Sequence, residues 1–337
     1  MTIKLELSKT AQKTFDELKL KYLDKLENAR YKYLVKYNNR RKLNWRFNLP
    51  MLLLFISADT YINGIHLTTG LYAMIPLLFL AFAKVPFRIY RRKYKKHFLG
   101  KFIPEFFKNI FNYTYTNKPD MLEKRVEGYK LLGDFHTYKG EDHLAGVNKD
   151  GINLDYEEAE VYGDLNNFKG GIVVLEMPKQ FRKRVVVKSN AVFRDSSEIK
   201  IGMNKANIND KTFNKYFSVY SEDASYAEKL ITPKLMKKII DASKKLHDLF
   251  NEEFMLIAPH FHHQIESYNN TTDHKMATAT LELEFVGNKV LLLLRGQYDF
   301  LAPANLEHSV YCSQRLSVIE QEFKTIESIA RLIEKGE

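Results

Sequence analysis

Residues 47–83, FNLPMLLLFISADTYINGIHLTTGLYAMIPLLFLAFA, hold a single charged side chain, Asp59, between two basic walls. Arg40, Arg41, Lys42 and Arg46 precede the stretch; Lys84, Arg88, Arg91, Arg92, Lys93, Lys95 and Lys96 follow it. Crossing about 30 Å of hydrocarbon takes roughly 17 to 25 mainly apolar residues. Two such arms, about 47–62 and 66–85, joined by Tyr61, Ile62, Asn63 and Gly64, predict a transmembrane helical hairpin. Pro50 falls near the entry of the first arm, where its missing N–H does least damage. That arm is short, which implies tilt or local thinning of the bilayer. Asp59 lies a few residues from the turn, where its carboxylate could reach water; an acid inside a membrane is also a functional candidate.

Basic residues at both ends of the hairpin place both termini in the cytoplasm, so the chain reads as a two-span inner-membrane protein with the lipid bilayer as its first partner. Arg88, Arg91, Arg92, Lys93, Lys95 and Lys96 are expected to face lipid head groups, at about 1 kcal/mol per residue near an anionic surface; orientation of the hairpin alone also explains them. The formal charge of the 337 residues is +11, unevenly distributed. Residues 1–46 carry 13 Lys/Arg against 5 Asp/Glu, residues 47–101 carry 8 against 1, and residues 102–337 carry 31 against 35. A nucleic-acid binder carries its basic patch on the folded domain, whereas here the excess hugs the predicted membrane, which excludes nucleic acid as the default partner. The single cysteine, Cys312, leaves no intramolecular disulfide and fits a reducing compartment. The first 46 residues are charged throughout and lack the apolar core of a signal peptide.

Further out, Ala11, Phe15, Leu18, Tyr22, Leu26, Ala29, Tyr33 and Tyr37 recur at helical spacing without Pro or Gly, predicting a helix of about 40 residues. Its apolar face suits a coiled-coil contact with another copy, with the C-terminal helix or with a partner, or packing on its own domain. Phe102 to Tyr115 is aromatic-rich and suits a helix lying against the domain or the lipid interface. From about Tyr138 the pattern turns to strands: 151–159, 171–177, 184–188, and a pair, 281–286 and 290–294, joined by a tight turn at Gly287-Asn288. Thr232 and Pro233 open a helix with Leu235, Met236, Ile239, Ile240, Leu246 and Leu249 on one face. A last helix, about 303–335, carries Leu316, Ile319, Phe323, Ile326, Ala330 and Ile333. The expected layout is α+β: a long N-terminal helix (1–46), the hairpin (47–86), basic and aromatic juxtamembrane helices (87–135), and a cytoplasmic domain with a mainly antiparallel sheet and a long C-terminal helix (136–337).

Chemical motifs are sparse. His260, His262, Asp273 and His274 form the densest group of metal-ligand types, and imidazole with carboxylate suits zinc or another divalent metal. No HExxH or CxxC frame accompanies them, so the expectation is no cofactor, with metal as the alternative. Gly140-Glu141-Asp142-His143 mixes carboxylates with an imidazole, the ingredients of acid–base work, though adjacent residues rarely converge on one atom and a turn leading into a strand suits them better. No catalytic residue is assigned.

Three segments carry a family resemblance: Tyr138 to His143, Phe181 to Val187, and Phe213 to Ser221 followed by Ala227 and Leu230 to Met236. They resemble the bacterial family called domain of unknown function 3137. The resemblance implies an N-terminal helix, two spans and a cytoplasmic α+β domain, and no activity; beyond Phe254 the His-rich stretch departs from the pattern. The expected function is a membrane-anchored binding or scaffold module that self-associates or binds a protein partner through its long helices. The alternatives are a metal-dependent hydrolase using residues 260–274 and an oligomeric pore-forming effector.

Overall fold

The computed structural model describes residues 5–43, 46, 49–63, 85–163, 167–190, 203–257, 280–296, 309–311 and 313–335. In chain order the helices are α1 (Lys9–Leu18), α2 (Asp24–Leu43), α3 (Leu49–Asn63), α4 (Val85–Tyr94), α5 (Ile103–Phe111), α6 (Glu123–Val126), α7 (Lys211–Tyr216), α8 (Ala224–Leu230), α9 (Pro233–Ile257) and α10 (Ser313–Lys335), with π-helical segments at Lys19–Leu23 and Lys95–Phe102. The strands are β1 (Tyr113–Thr116), β2 (Phe135–Val147), β3 (Asn153–Gly163), β4 (Asn167–Ser189), β5 (Asn204–Lys205), β6 (Phe217–Ser221) and β7 (Thr280–Arg295). They fall into two compact units, one of Met1–Phe15, Pro104–Ala302 and Ser313–Glu337, the other of Asp16–Ile103 and Pro303–Cys312.

The first unit is built on an antiparallel sheet, as the sequence predicts, ordered β1-β2-β3-β4-β6-β5 with β7 also on β4. Val and Ile fill β4, where branched side chains suit a pleated surface buried on both faces. The strand pairs β3 through its first half and β6 through its last residues, while β7 follows its other edge from Gly170 to Val187. The expected strands 171–177 and 184–188 are thus one. Pro178 lies between Glu176 and Phe181, where the register with β7 shifts, so its missing N–H breaks no ladder bond. Gly287 is likewise not a hairpin turn: at φ 58° it sits within the single strand β7, beside that shift, because a positive φ serves a bulge as well as a turn.

Residues 122–132 cover one face of the sheet, placing Leu122, Val126, Leu131 and Leu132 in a cluster with Val161, Ile172, Leu291 and Leu293. Buried Glu157 and Glu284 fix that covering segment through its backbone. Tyr156, next to Glu157 on β3, points to the opposite face. There Phe323 of α10 collects Tyr156 at 5.2 Å, Phe107 at 5.1 Å, Phe111 at 5.6 Å and Tyr113 at 6.1 Å between ring centroids. The aromatic segment expected as one helix to Tyr115 ends at Phe111, where Asn112 at φ 62° turns the chain into β1. α9 starts as predicted, with the Leu235 N–H donating to Thr232 Oγ1 at 3.3 Å.

The chain is helical without a break from Lys9 to Leu43, and Ala11, Phe15, Leu18 and Leu26 are buried. Just before α1, Ser8 donates its backbone N–H to Glu320 Oε2 of α10 at 2.9 Å and its hydroxyl to Oε1. In the second unit α2 packs on α4. Tyr90, Tyr94, Phe98 and Phe102, one helical turn apart, form a buried aromatic ladder with centroid steps of 6.3, 4.6 and 5.1 Å.

The transmembrane hairpin is corrected. α3 has 15 residues, about 22 Å at 1.5 Å per residue, against about 30 Å of hydrocarbon. No helix among the described residues is long and apolar enough to cross a membrane. A count of apolar residues over 47–62 does not by itself report the length of a helix. The second expected arm, 66–85, lies outside the described residues except for Val85, the first residue of α4. The assignment to an inner membrane with two spans and cytoplasmic termini is corrected with it.

Candidate functional site

On α2 the residues Lys25, Asn28, Ala29, Lys32, Tyr33 and Lys36 follow spacings of three and four, which aligns them along one helical face. With Lys93 of α4 they line an open groove of about 340 Å³. Its four lysines are exposed and Tyr33 is half-buried. The Lys93 ammonium stands 5.4 Å from the Tyr33 ring centroid and Lys36 stands 6.0 Å from it, so one aromatic face helps to hold two cations.

The acids of α2 face elsewhere. Glu27 accepts hydrogen bonds from Nε and Nη2 of Arg30 and from the Val310 N–H at 3.0 Å; Asp24 accepts the Tyr311 hydroxyl at 2.8 Å. Burial alone would raise the Glu27 carboxyl, but the Arg30 guanidinium and the Val310 N–H hold it below its usual value. Among the described residues no carboxylate lines the groove to offset its lysines. The pKa of His97, half-buried in the π-helical segment, is lowered first by burial, then by Lys101 and Lys96 outside the groove, and further by the groove lysines Lys93 and Lys25.

The six basic residues expected to face lipid are therefore divided. Arg88, Arg91, Arg92, Lys95 and Lys96 are exposed, and only Lys93 lines the groove. Asp59 falls in α3. His260, His262, Asp273 and His274 lie outside the described residues. Among the described residues no group of three or more His, Cys, Asp and Glu is placed to hold a metal. Lys25, Lys32 and Lys36 were not singled out in the sequence, although their spacing of seven and four was the available signal.

Gly140 to His143 lies inside β2, at a register shift against β3, and not at a turn before a strand. Asp142 is buried at φ 56° and accepts the Tyr115 hydroxyl. His143 Nε2 stands 3.3 Å from Asp155 Oδ1, and Asp155 also pairs with Arg125, whose Nη2 is 2.7 Å from Glu176. The buried His143 Nδ1 has no hydrogen-bond partner among the described residues. Arg125 belongs to the segment covering the sheet, so this network ties that segment down. The nearby cleft lined by Lys139, Glu141, Glu158, Glu160 and Lys169 is only about 40 Å³, close to the volume of one water.

Fold and surface define an α+β protein on an antiparallel sheet with a basic groove on a separate helical unit. Residues 166–258 match the family model described as Protein of unknown function (DUF3137). That span runs from β4 to α9 and contains the resembling segments 181–187, 213–221 and 230–236; segment 138–143 and the groove lie outside it. No curated protein and no solved structure matches the chain.

Proposed function

We propose that this chain is a binding module whose ligand is anionic, received by the lysine groove between α2 and α4. The observation that carries this is four ammonium groups around about 340 Å³, with no carboxylate among the described residues of the lining. Uncompensated like charges repel in the free protein, so a bound anion gains both direct attraction and relief of that repulsion. Partner binding through the N-terminal helix, expected from its amphipathic pattern, passes in this reading through its charged face. Its apolar positions Phe15, Leu18 and Leu26 are already buried, as are Leu316, Ile319 and Phe323 of α10.

The test is titration of the full chain with labelled tripolyphosphate and labelled poly-glutamate at low and high salt. The double variant Lys32→Glu/Lys36→Glu is compared with Lys95→Glu/Lys96→Glu, which alters charge equally outside the groove. Expected is affinity for at least one anion that weakens with salt, is lost in the first variant and survives in the second. Equal loss in both variants, or no anion bound, overturns the proposal.

A further inference from the structure

We infer that the ligand of this groove carries a phosphate group. This rests on the anion-binding reading above and narrows it to one chemical class. The groove holds four lysines, so a single carboxylate would leave three cations uncompensated. A phosphate monoester carries about −1.5 to −2 charges at neutral pH and presents three strong acceptor oxygens. Each ammonium offers three donors on a flexible stem and acts as a point charge, which suits a terminal phosphate that several lysines approach from different sides. A diphosphate compensates the groove more fully still.

Size and lining limit the remainder of the ligand. About 340 Å³ lies near the lower end of the roughly 300 to 1,000 Å³ of small-molecule sites. Asn28 adds one amide that can donate or accept, and Ala29 leaves the helix backbone side open. The Tyr33 ring already supports Lys36 and Lys93 and serves to position cations. The groove therefore recognises the phosphate itself, whether free, on a small metabolite-sized molecule, or as the head group of an anionic lipid.

Calorimetric titration of the full chain with pyrophosphate, with citrate, and with vesicles of phosphatidic acid in phosphatidylcholine separates these cases. Pyrophosphate is expected to bind more tightly than citrate, and each of Lys32→Glu and Lys36→Glu is expected to weaken it by roughly tenfold. Vesicle binding that pyrophosphate competes away supports the phosphate class with a lipid source; pyrophosphate binding without vesicle binding supports it with a free-phosphate source. Citrate binding as tightly as pyrophosphate, with the same lysine dependence, overturns the phosphate assignment and leaves the anion-binding module standing. Vesicle binding that pyrophosphate does not displace also overturns it. Failure of every anion overturns both.

Discussion

Glu157 on β3 and Glu284 on β7 perform the same task from two strands: each buried carboxylate accepts two consecutive backbone N–H groups of the segment covering the sheet. Glu157 takes those of Met121 and Leu122, both at 2.8 Å, and Glu284 takes those of Lys130 and Leu131 at 3.0 and 2.9 Å. The Tyr138 hydroxyl donates a third bond to Glu157 at 2.7 Å. Segment and sheet are thereby joined by backbone-to-carboxyl hydrogen bonds placed over an apolar cluster.

Removing Glu157 orphans three donors at once. Glu157→Ala is expected to destabilise the fold by about 2 to 4 kcal/mol. Glu160→Ala, which breaks an exposed pair with Lys169, is expected to cost under about 0.5 kcal/mol. Urea unfolding of both variants checks the contrast.

Half-buried Asp155 and buried Glu284 titrate in opposite senses. Burial alone would raise the Asp155 carboxyl, but His143 and Arg125 hold it below its ordinary 3.8. Its contribution is therefore present at neutral pH and lost as pH falls through the depressed value. For Glu284, burial outweighs the Lys130 and Leu131 N–H groups and Arg184 and raises the carboxyl above 4.5. Its contribution is complete below 4.5 and is lost as pH rises through the raised value. The stability deficit of Asp155→Asn should accordingly shrink on acidification below 3.8. The balance between wild type and Glu284→Gln should move toward wild type as pH falls, read by denaturant melts across pH.

Phe323 is the hub of the helical side of the sheet and is fully buried. Phe323→Ala is expected to cost about 3 to 5 kcal/mol, with Phe323→Leu well below it because the cavity is smaller. Thermal or urea melts of the pair check this ordering.

At Gly170, φ is 144° and an added Cβ would collide with the Leu294 carbonyl oxygen, on the neighbouring strand. Gly151, at φ 76°, has nothing within 4 Å of that position. Gly151→Ala should cost about 1 to 2 kcal/mol from backbone strain alone, and Gly170→Ala distinctly more, since the β4–β7 ladder must shift. Equal losses in urea melts would contradict the close approach.

What the sequence disclosed followed from periodicity. Helical spacing located α2, α9 and α10; the positions it named in α9 and α10 are buried, whereas in the N-terminal helix Tyr22, Ala29, Tyr33 and Tyr37 are only half-buried. The Thr232-Pro233 signal marked the start of α9. Strand reading failed where one residue type serves two geometries: Gly287 made a bulge instead of a turn, and Pro178 interrupted a strand without ending it. Apolar content over 47–83 suggested spans because composition does not report helix length; among the described residues α3 holds 15, and no helix is long and apolar enough to cross a membrane. The groove was half legible. Lys93 stood out within a charge run, but the lysines of α2 matter through a helical face that meets α4, a tertiary fact. Glu157 and Glu284 were invisible, since a glutamate on a strand gives no sign that its partners are backbone amides far away in sequence.

The most direct test is the titration of the His97 ring, followed by NMR on the full chain with and without saturating pyrophosphate. His97 sits lowered by burial and by Lys101, Lys96, Lys93 and Lys25. Lys93 and Lys25 also line the groove, so an anion bound between them is expected to raise the His97 pKa, and that rise is expected to disappear in Lys32→Glu/Lys36→Glu, which abolishes the binding. Pyrophosphate that binds the wild-type chain while leaving the His97 titration unmoved would place the anion elsewhere and contradict the assignment.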